Sequence, residues 1–542
     1  MIWNTRFGSI LVLVLAVSTL PLSAQVDVLT FHNDNSRSGQ NLNEATLNPT
    51  NVQTSFGRLS VTPVDDWVVA QPLYVAHLNI GGGTHNVLFV ATLNNSLYAL
   101  DADTPSTIYW QRNYGAPTSF VGICQDTAYQ GATHHGAGII STPVIDLNLN
   151  TIYFVTKTGN GGASDPYSLT FYAVNIKTGA TIGSTVINPG AADWSPLIQM
   201  SRPGLAEDPT GSFVYIALGS TGCKNYYYEH GYAIAYSTIT AQPVGTFATT
   251  FGGYNNGGIW QAGGGLAVDV LGDMFFDTAD GTYDGKFNFG DSFLHLSGAG
   301  GNLSLLDWFT PDNQLYLYQN DFDLAATGPV LLPDQVVGPP HLMIGTGKTE
   351  EVFVINRDVM GKYNAGKNNI VQDIPRASYM NGCANNKKGN TCRSGAATYF
   401  VTDSNNDAFV YLADDGVSSP PNKYWAGDIV QYTLTGGKLS TTPAQRATFG
   451  TNAYVGSPSI SASGTANAIV WTVVSQGTST ALYALKAATL AQIYNSNTNY
   501  TRDSLGLTPR FITPTISNGK VYVGGKTRTG GTLTVYGLLS GK

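Results

Sequence analysis

The sequence predicts an all-β fold, an eight-bladed β-propeller of four-stranded antiparallel blades in which a strand from near the N-terminus closes the last blade. Three observations predict it: the composition, a short pattern that recurs eight times, and a final repeat that is one strand short. The 542 residues include 62 glycines, 25 prolines and 30 tyrosines, and 11% of the chain is charged. That balance describes many short strands joined by tight turns and leaves little material for long charged helices. Length decides little about domain count, because repeat architectures grow by adding units.

The recurring pattern is a turn, a Pro or Gly, and then alternating apolar residues. Its copies are QPLYV at Pro72, TPVID at Pro143, RPGLA at Pro203, GGGLAVD at Gly264, GPVLLPD at Pro329, GAATYF at Ala396, SPSIS at Pro458 and TPTIS at Pro514, 56 to 71 residues apart. They place blade starts near 70, 141, 201, 262, 327, 394, 456 and 512. Each anchor is followed by further short runs rich in Val, Ile, Tyr and Phe, such as TIYFVTK and TFYAVNIKTG, and most units add a weaker fourth, such as TIYWQRNY. Four strands in about 60 residues make a propeller blade. Seven blades is the alternative count if the irregular sixth unit is misread.

The last repeat supplies three strands, RFITPTIS, GKVYVGGK and TLTVYGLL, while FGRLSVTPV (56–64) lies unpaired before the first anchor. Joining the two removes two open sheet edges at once.

At the start of the chain, Arg6, the apolar run Ile10 to Val17, Pro21 and Ala24 read as a signal peptide over 1–24, so the propeller is expected over 25–542 as a single domain, exported and then secreted or periplasmic. No second apolar run follows, so no membrane span is expected after signal removal. Four cysteines in an exported chain suggest two disulfides: Cys383–Cys392, close in sequence, and by elimination Cys124–Cys223. A formal net charge of -8 without a basic stripe excludes a nucleic-acid partner.

Within a blade, the loop after the second strand and the crossing to the next blade share one end of the propeller. The other two loops share the opposite end. The opposite-end loops are minimal turns such as DPTG and SNGK, whereas the first end carries the long insertions, and function is expected there. Its candidate residues come from blades two to five. His134, His135 and His230 are imidazoles able to act in acid–base chemistry or to touch a cofactor. Trp260 offers a flat stacking surface, with Gln261 and the Gly263–Gly265 run beside it. Asp280 and Asp284 are candidate catalytic or metal carboxylates, and Asp291, Asp321 and Asp323 could add oxygen ligands for a hard cation such as calcium. The plainer reading is that Asp, Asn and Gly here build turns.

Lys348 lies in GTGKT, which resembles the end of a phosphate-binding loop, but Leu342 stands where the motif needs glycine and EEVFVIN reads as a strand. Its ammonium remains available to the same end of the propeller. Nucleophile-elbow, zinc-protease and haem motifs are absent from the sequence.

The segments FHNDNSRSGQN, AQPLYV, FVATLNNSLYALDAD, GIWQAGGGLAVD, FTPDN and TGPVLLPDQ resemble an exported bacterial family described as pyrroloquinoline-quinone (PQQ)-like propeller proteins. The resemblance spans nearly the whole mature chain. It implies the fold of the PQQ alcohol and glucose dehydrogenases, in which the quinone lies on the axis with calcium, an aspartate takes the substrate proton and aromatic residues sandwich the ring. The adjacent cysteine pair typical of those alcohol dehydrogenases is missing here. The expectation is therefore a non-catalytic binding or scaffold propeller that docks a small molecule, a glycan or an exported protein. The alternative is a PQQ- and calcium-dependent dehydrogenase of an alcohol or sugar.

Overall fold

A computed structural model describes residues 26–119, 136–191, 194–220, 230–252, 256–375, 395–416, 418–419, 423–424 and 426–540. Its strands form eight blade sheets, each with the strand that follows an anchor motif innermost. In blade two, Val144–Asp146, Thr151–Thr158, Ser168–Asn175 and Thr181–Val186 run from the axis outward as an antiparallel meander. The sixth unit is a blade of its own, built on Thr398–Val401, Ala408–Asp414 and Ala426–Thr435. Eight is thus the count.

Burial follows position in the blade. Thr151–Thr158 is covered by neighbouring blades on both faces and is buried at seven successive positions, its central Ile152–Val155 apolar. The outer Thr181–Val186 alternates, with Ile182 and Val186 exposed.

The tyrosine content has a structural reason. Blades diverge outward, and broad rings fill the widening wedge between them, as where Phe171 of blade two stacks on Tyr236 of blade three at 4.1 Å. Second-strand tyrosines also staple each blade to the next by donating to an outer-turn carbonyl. Tyr153 donates to Thr238 at 3.3 Å, Tyr411 to Ala487 at 2.9 Å and Tyr522 of the last blade to Ala102 of the first at 3.2 Å. Each hydroxyl thereby finds an acceptor within the wedge, and at Ala487 the Gln431 side chain donates to the same carbonyl at 2.6 Å.

Ring closure is made by Phe56–Val64, antiparallel to Gly531–Leu538, with Phe56 opposite Leu538, Val64 opposite Gly531 and a bulge between Arg58 and Ser60. The buried carboxylate of Asp503 clamps this joint, accepting from the Arg58 amide at 3.1 Å and from Arg502 at 2.6 Å.

A feature absent from the sequence expectation fills the axis. Residues 26–44, which include FHNDNSRSGQN, pass the inner strands of all eight blades in turn. Val28 bonds Tyr74, Leu29 accepts from Ile145, and Thr30 donates to Leu205. Asn35 and Ser36 accept from Val268 and Leu331, and Ser38 accepts from Tyr399. Gln40–Asn41 then pairs in parallel with Ser459–Ser463, and the Asn41 side chain reaches Ile516 at 3.1 Å. The tight path needs left-handed backbone at Gly39 (φ 69°), where a Cβ would stand 2.5 Å from Thr398 Oγ1.

No helix among the described residues is long and apolar enough to cross a membrane. The predicted signal peptide and all four cysteines, with both proposed disulfides, lie outside the described residues.

Candidate functional site

The end of the propeller with the long insertions carries two structured groups. The first is an apolar collar near the axis. Trp67, Val69, Leu93, Ala137, Ile140 and Met200 pack together there, with Trp260 and Phe511 against them. These residues come from inter-blade crossings and the first blade's inner loop, so the collar exists only once the ring has closed. Trp260 is half-buried, and Arg202 places its guanidinium 5.0 Å from the centre of the Phe511 ring.

The second group is a knot of carboxyls around one ammonium, in blade four and its crossing into blade five. Lys348 Nζ lies 2.5 Å from Asp323 and 2.8 Å from Asp321 and bonds the Asp321 carbonyl at 3.2 Å. Burial lowers the tendency of Lys348 to hold a proton, but the charges of Asp323 and Asp321 outweigh it and hold the ammonium firmly charged. Asp323 is likewise opposed by burial and held ionised by Lys348.

Asp280 faces Asp323 by hydrogen bonds from both its amide, at 3.3 Å, and its side chain. Burial first, then the charges of Asp323 and Asp291, push its carboxyl well above the usual range, so Asp280 carries the shared proton and Asp323 the charge.

Below this pair, Asp291 is fully buried. One of its oxygens accepts from the Leu324 amide at 3.2 Å and the other meets no donor among the described residues. Burial and the Asp323 charge raise it well above the ordinary carboxylate range. A parallel pair lies under the collar: Gln261 donates to Asp277 at 2.9 Å, both fully buried, and burial pushes Asp277 up to about 8. Gln261 Oε1 and Asp277 Oδ2 meet no donor among the described residues. Asp277 was not anticipated from sequence. A carboxylate following FF in an otherwise apolar strand was the available signal.

The structure thus brings together Asp280, Asp291, Asp321, Asp323 and Lys348, and places Gln261 and Trp260 on the neighbouring crossing. Asp284 is not brought into the knot. It is exposed on its own loop, and although burial acts to raise it, the amides of Phe287, Asn288 and Lys286 and the Asn288 side chain draw it down to about 2. That is the turn-building role of Asp. His230 is buried and holds Thr250 Oγ1 at 2.7 Å. His134 and His135 lie outside the described residues. Among the described residues, no three His, Cys, Asp or Glu side chains converge as a metal cage. Lys348 instead provides the positive charge between Asp321 and Asp323.

This fold is shared with quinoprotein dehydrogenases. The chain superposes on a quinohemoprotein alcohol dehydrogenase from Pseudomonas putida with TM-score 0.64 and 14% identity, over 95% of this chain and 81% of that one. The corresponding enzyme from Comamonas testosteroni gives 0.62 and 14%, over 95% and 81%. A europium-containing methanol dehydrogenase gives 0.60 and 13%, over 94% and 98%. No family model and no curated protein matches the sequence. At this identity the likeness establishes the architecture, an eight-bladed quinoprotein-type propeller.

Proposed function

We propose that this protein is an exported ligand-binding propeller of the quinoprotein fold, whose working end is the one with the long insertions. The observation that supports this reading is the Asp280–Asp323–Lys348 knot. It presents a carboxyl proton, a carboxylate and an ammonium within hydrogen-bond reach of one another, with Asp321 half exposed at its edge. Perturbed, mutually bonded charges are a mark of functional sites. A small polar molecule with hydroxyl or amine groups finds both donors and acceptors there. The apolar run Ile10 to Val17 supports export.

A second reading, a PQQ- and calcium-dependent dehydrogenase of an alcohol or sugar, is favoured by the fold likeness and by the orphaned oxygens. Gln261 Oε1 and Asp277 Oδ2 are acceptors of the kind a hard cation takes, and Trp260 is the half-buried ring nearest to them in sequence. In that reading Gln261 and Asp277 would hold calcium, Trp260 would face the quinone, and the quinone would supply the electron sink. The chain's own part would be to move a proton: ionised Asp323 accepts one from a substrate hydroxyl, with Asp280 and Lys348 setting its basicity.

One experiment separates the two. Purified protein is titrated with PQQ, with and without calcium, while quinone absorbance and dye reduction with ethanol and glucose are followed. A thermal-shift screen of polyols and amines is run alongside on the wild type and on Asp321→Asn. A hit weakened by Asp321→Asn, without dye reduction, supports the binding reading. Dye reduction that requires both PQQ and calcium replaces it with the second.

A further inference from the structure

The opposite end of the propeller, where the sequence shows minimal turns, holds a half-open groove of about 750 Å³. It runs between blades four and five, with the axial segment at Asp34–Ser36 as its inner wall. Nothing in the site described above extends to it, since the axial segment fills the space between the inner strands.

The groove is built around an arginine with few partners. Arg357 is 8% exposed, yet among the described residues its guanidinium makes one long polar contact, Nη1 to Asp269 Oδ2 at 3.4 Å, and its buried Nε meets no acceptor. A buried guanidinium normally fills its donors, because each unmet one carries a desolvation cost. Tyr399, 5% exposed, lines the same cavity, and its hydroxyl makes no hydrogen bond among the described residues. Two neighbouring donors therefore await acceptors.

Two of the carboxylates that line the groove already have partners among its own side chains. Asp273 holds His295 Nε2 at 3.1 Å, and Asp358 holds His341 Nδ1 at 2.9 Å. The wall behind them is layered: the His295 ring stacks on Phe275 at 4.3 Å, and Arg357 lies 5.5 Å from the same ring. At the rim, Val270 and Leu271 project 89% and 81% exposed from the inner turn of blade four.

These features select among ligand classes. An anion would meet Arg357 but also Asp34, Asp269, Asp273, Asp334 and Asp358. A cation would meet the buried guanidinium. A neutral ligand that donates and accepts at every position uses both sets, and its C–H faces match Val270 and Leu271. Sugar hydroxyls do this, and the volume suits about two or three pyranose rings within the usual range for ligand sites.

We propose that this groove is a neutral-oligosaccharide site, with Arg357 and Tyr399 as the hydroxyl-reading donors. It is independent of the proposal for the other end.

The test is isothermal titration of the purified protein with maltotriose, cellotriose, mannotriose, chitotriose and trigalacturonate. At least one neutral trisaccharide should bind, and Tyr399→Phe and Arg357→Gln should each weaken it by about tenfold, the worth of one such hydrogen bond. Tyr399→Phe removes one oxygen that bonds nothing in the protein, so its melting temperature should stay at the wild-type value. Asp321→Asn, at the other end, should leave the affinity unchanged. Failure of every neutral trisaccharide to bind overturns the proposal. So does binding of trigalacturonate alone, or binding indifferent to both groove substitutions.

Discussion

Arg37 reaches the carbonyl of Leu266 with its Nε at 2.6 Å, across 229 residues of chain, from the centre of the propeller axis. Its other nitrogens bond Phe31 and Leu205 carbonyls at 2.7 and 2.9 Å and Thr30 Oγ1 at 2.8 Å. It is 1% exposed and held by dipoles, so burial draws it down to about 9 with the Asp34 charge opposing.

Arg37→Ala should therefore be among the most destabilising single changes in the chain. It strands the Leu266 and Phe31 carbonyls, leaves Leu205 with Thr30 alone and loosens the segment that touches every blade. The expected loss is about 3–5 kcal/mol in urea denaturation, the range for breaking a buried charged network. Arg37→Lys, with one nitrogen for several carbonyls, should recover less than half of it.

Lys348 and Asp323 should behave as a coupled pair. Lys348→Met leaves buried carboxylates facing one another and should cost about 3 kcal/mol or more at pH 8. At pH 5 the loss should shrink, because protonating one carboxyl relieves the repulsion. Lys348→Met combined with Asp323→Leu should cost less than the two single changes added together, by about 1 kcal/mol or more in a double-mutant cycle.

Asp277 sets a pH dependence whose sign can be worked out. Its folded pKa is pushed up to about 8 by burial, well above the ordinary value of 3.8. The folded state therefore binds more protons than the unfolded chain between these values, and stability falls as pH rises from 4 to 8. Glu207 and Glu351, also pushed to about 8 by burial, act in the same direction. Asp277→Asn keeps an acceptor for Gln261 and removes the titration. Melting curves from pH 5 to 8 should then show a shallower decline, with the variant more stable than wild type by about 1–3 kcal/mol at pH 8.

The parts of this molecule that were legible in the sequence are those set by local periodicity. Pro72, Pro143 and Pro458 mark inner strands because a turn followed by period-two apolar residues has one good solution at a propeller axis. The carboxylates gathered in blades four and five were visible as a dense run, but their division of labour was not. Asp284 and Asp280 are equivalent as letters, and only the first has three amides of its own loop turned toward it.

The sequence by itself determined the repeating strands of the blades and the ring closure, since each follows from alternation, turn residues and an unpaired strand at Phe56–Val64. Tertiary structure alone decided what lies on the axis and in the grooves. Arg37 meets Leu205 and Leu266, and Arg357 meets Asp269 across 88 residues, because loops from different blades converge when the circle shuts. No spacing within one repeat encodes those meetings. The same shutting desolvates Asp277, Asp291 and Arg357, and so gives them a chemistry that their residue types alone do not have.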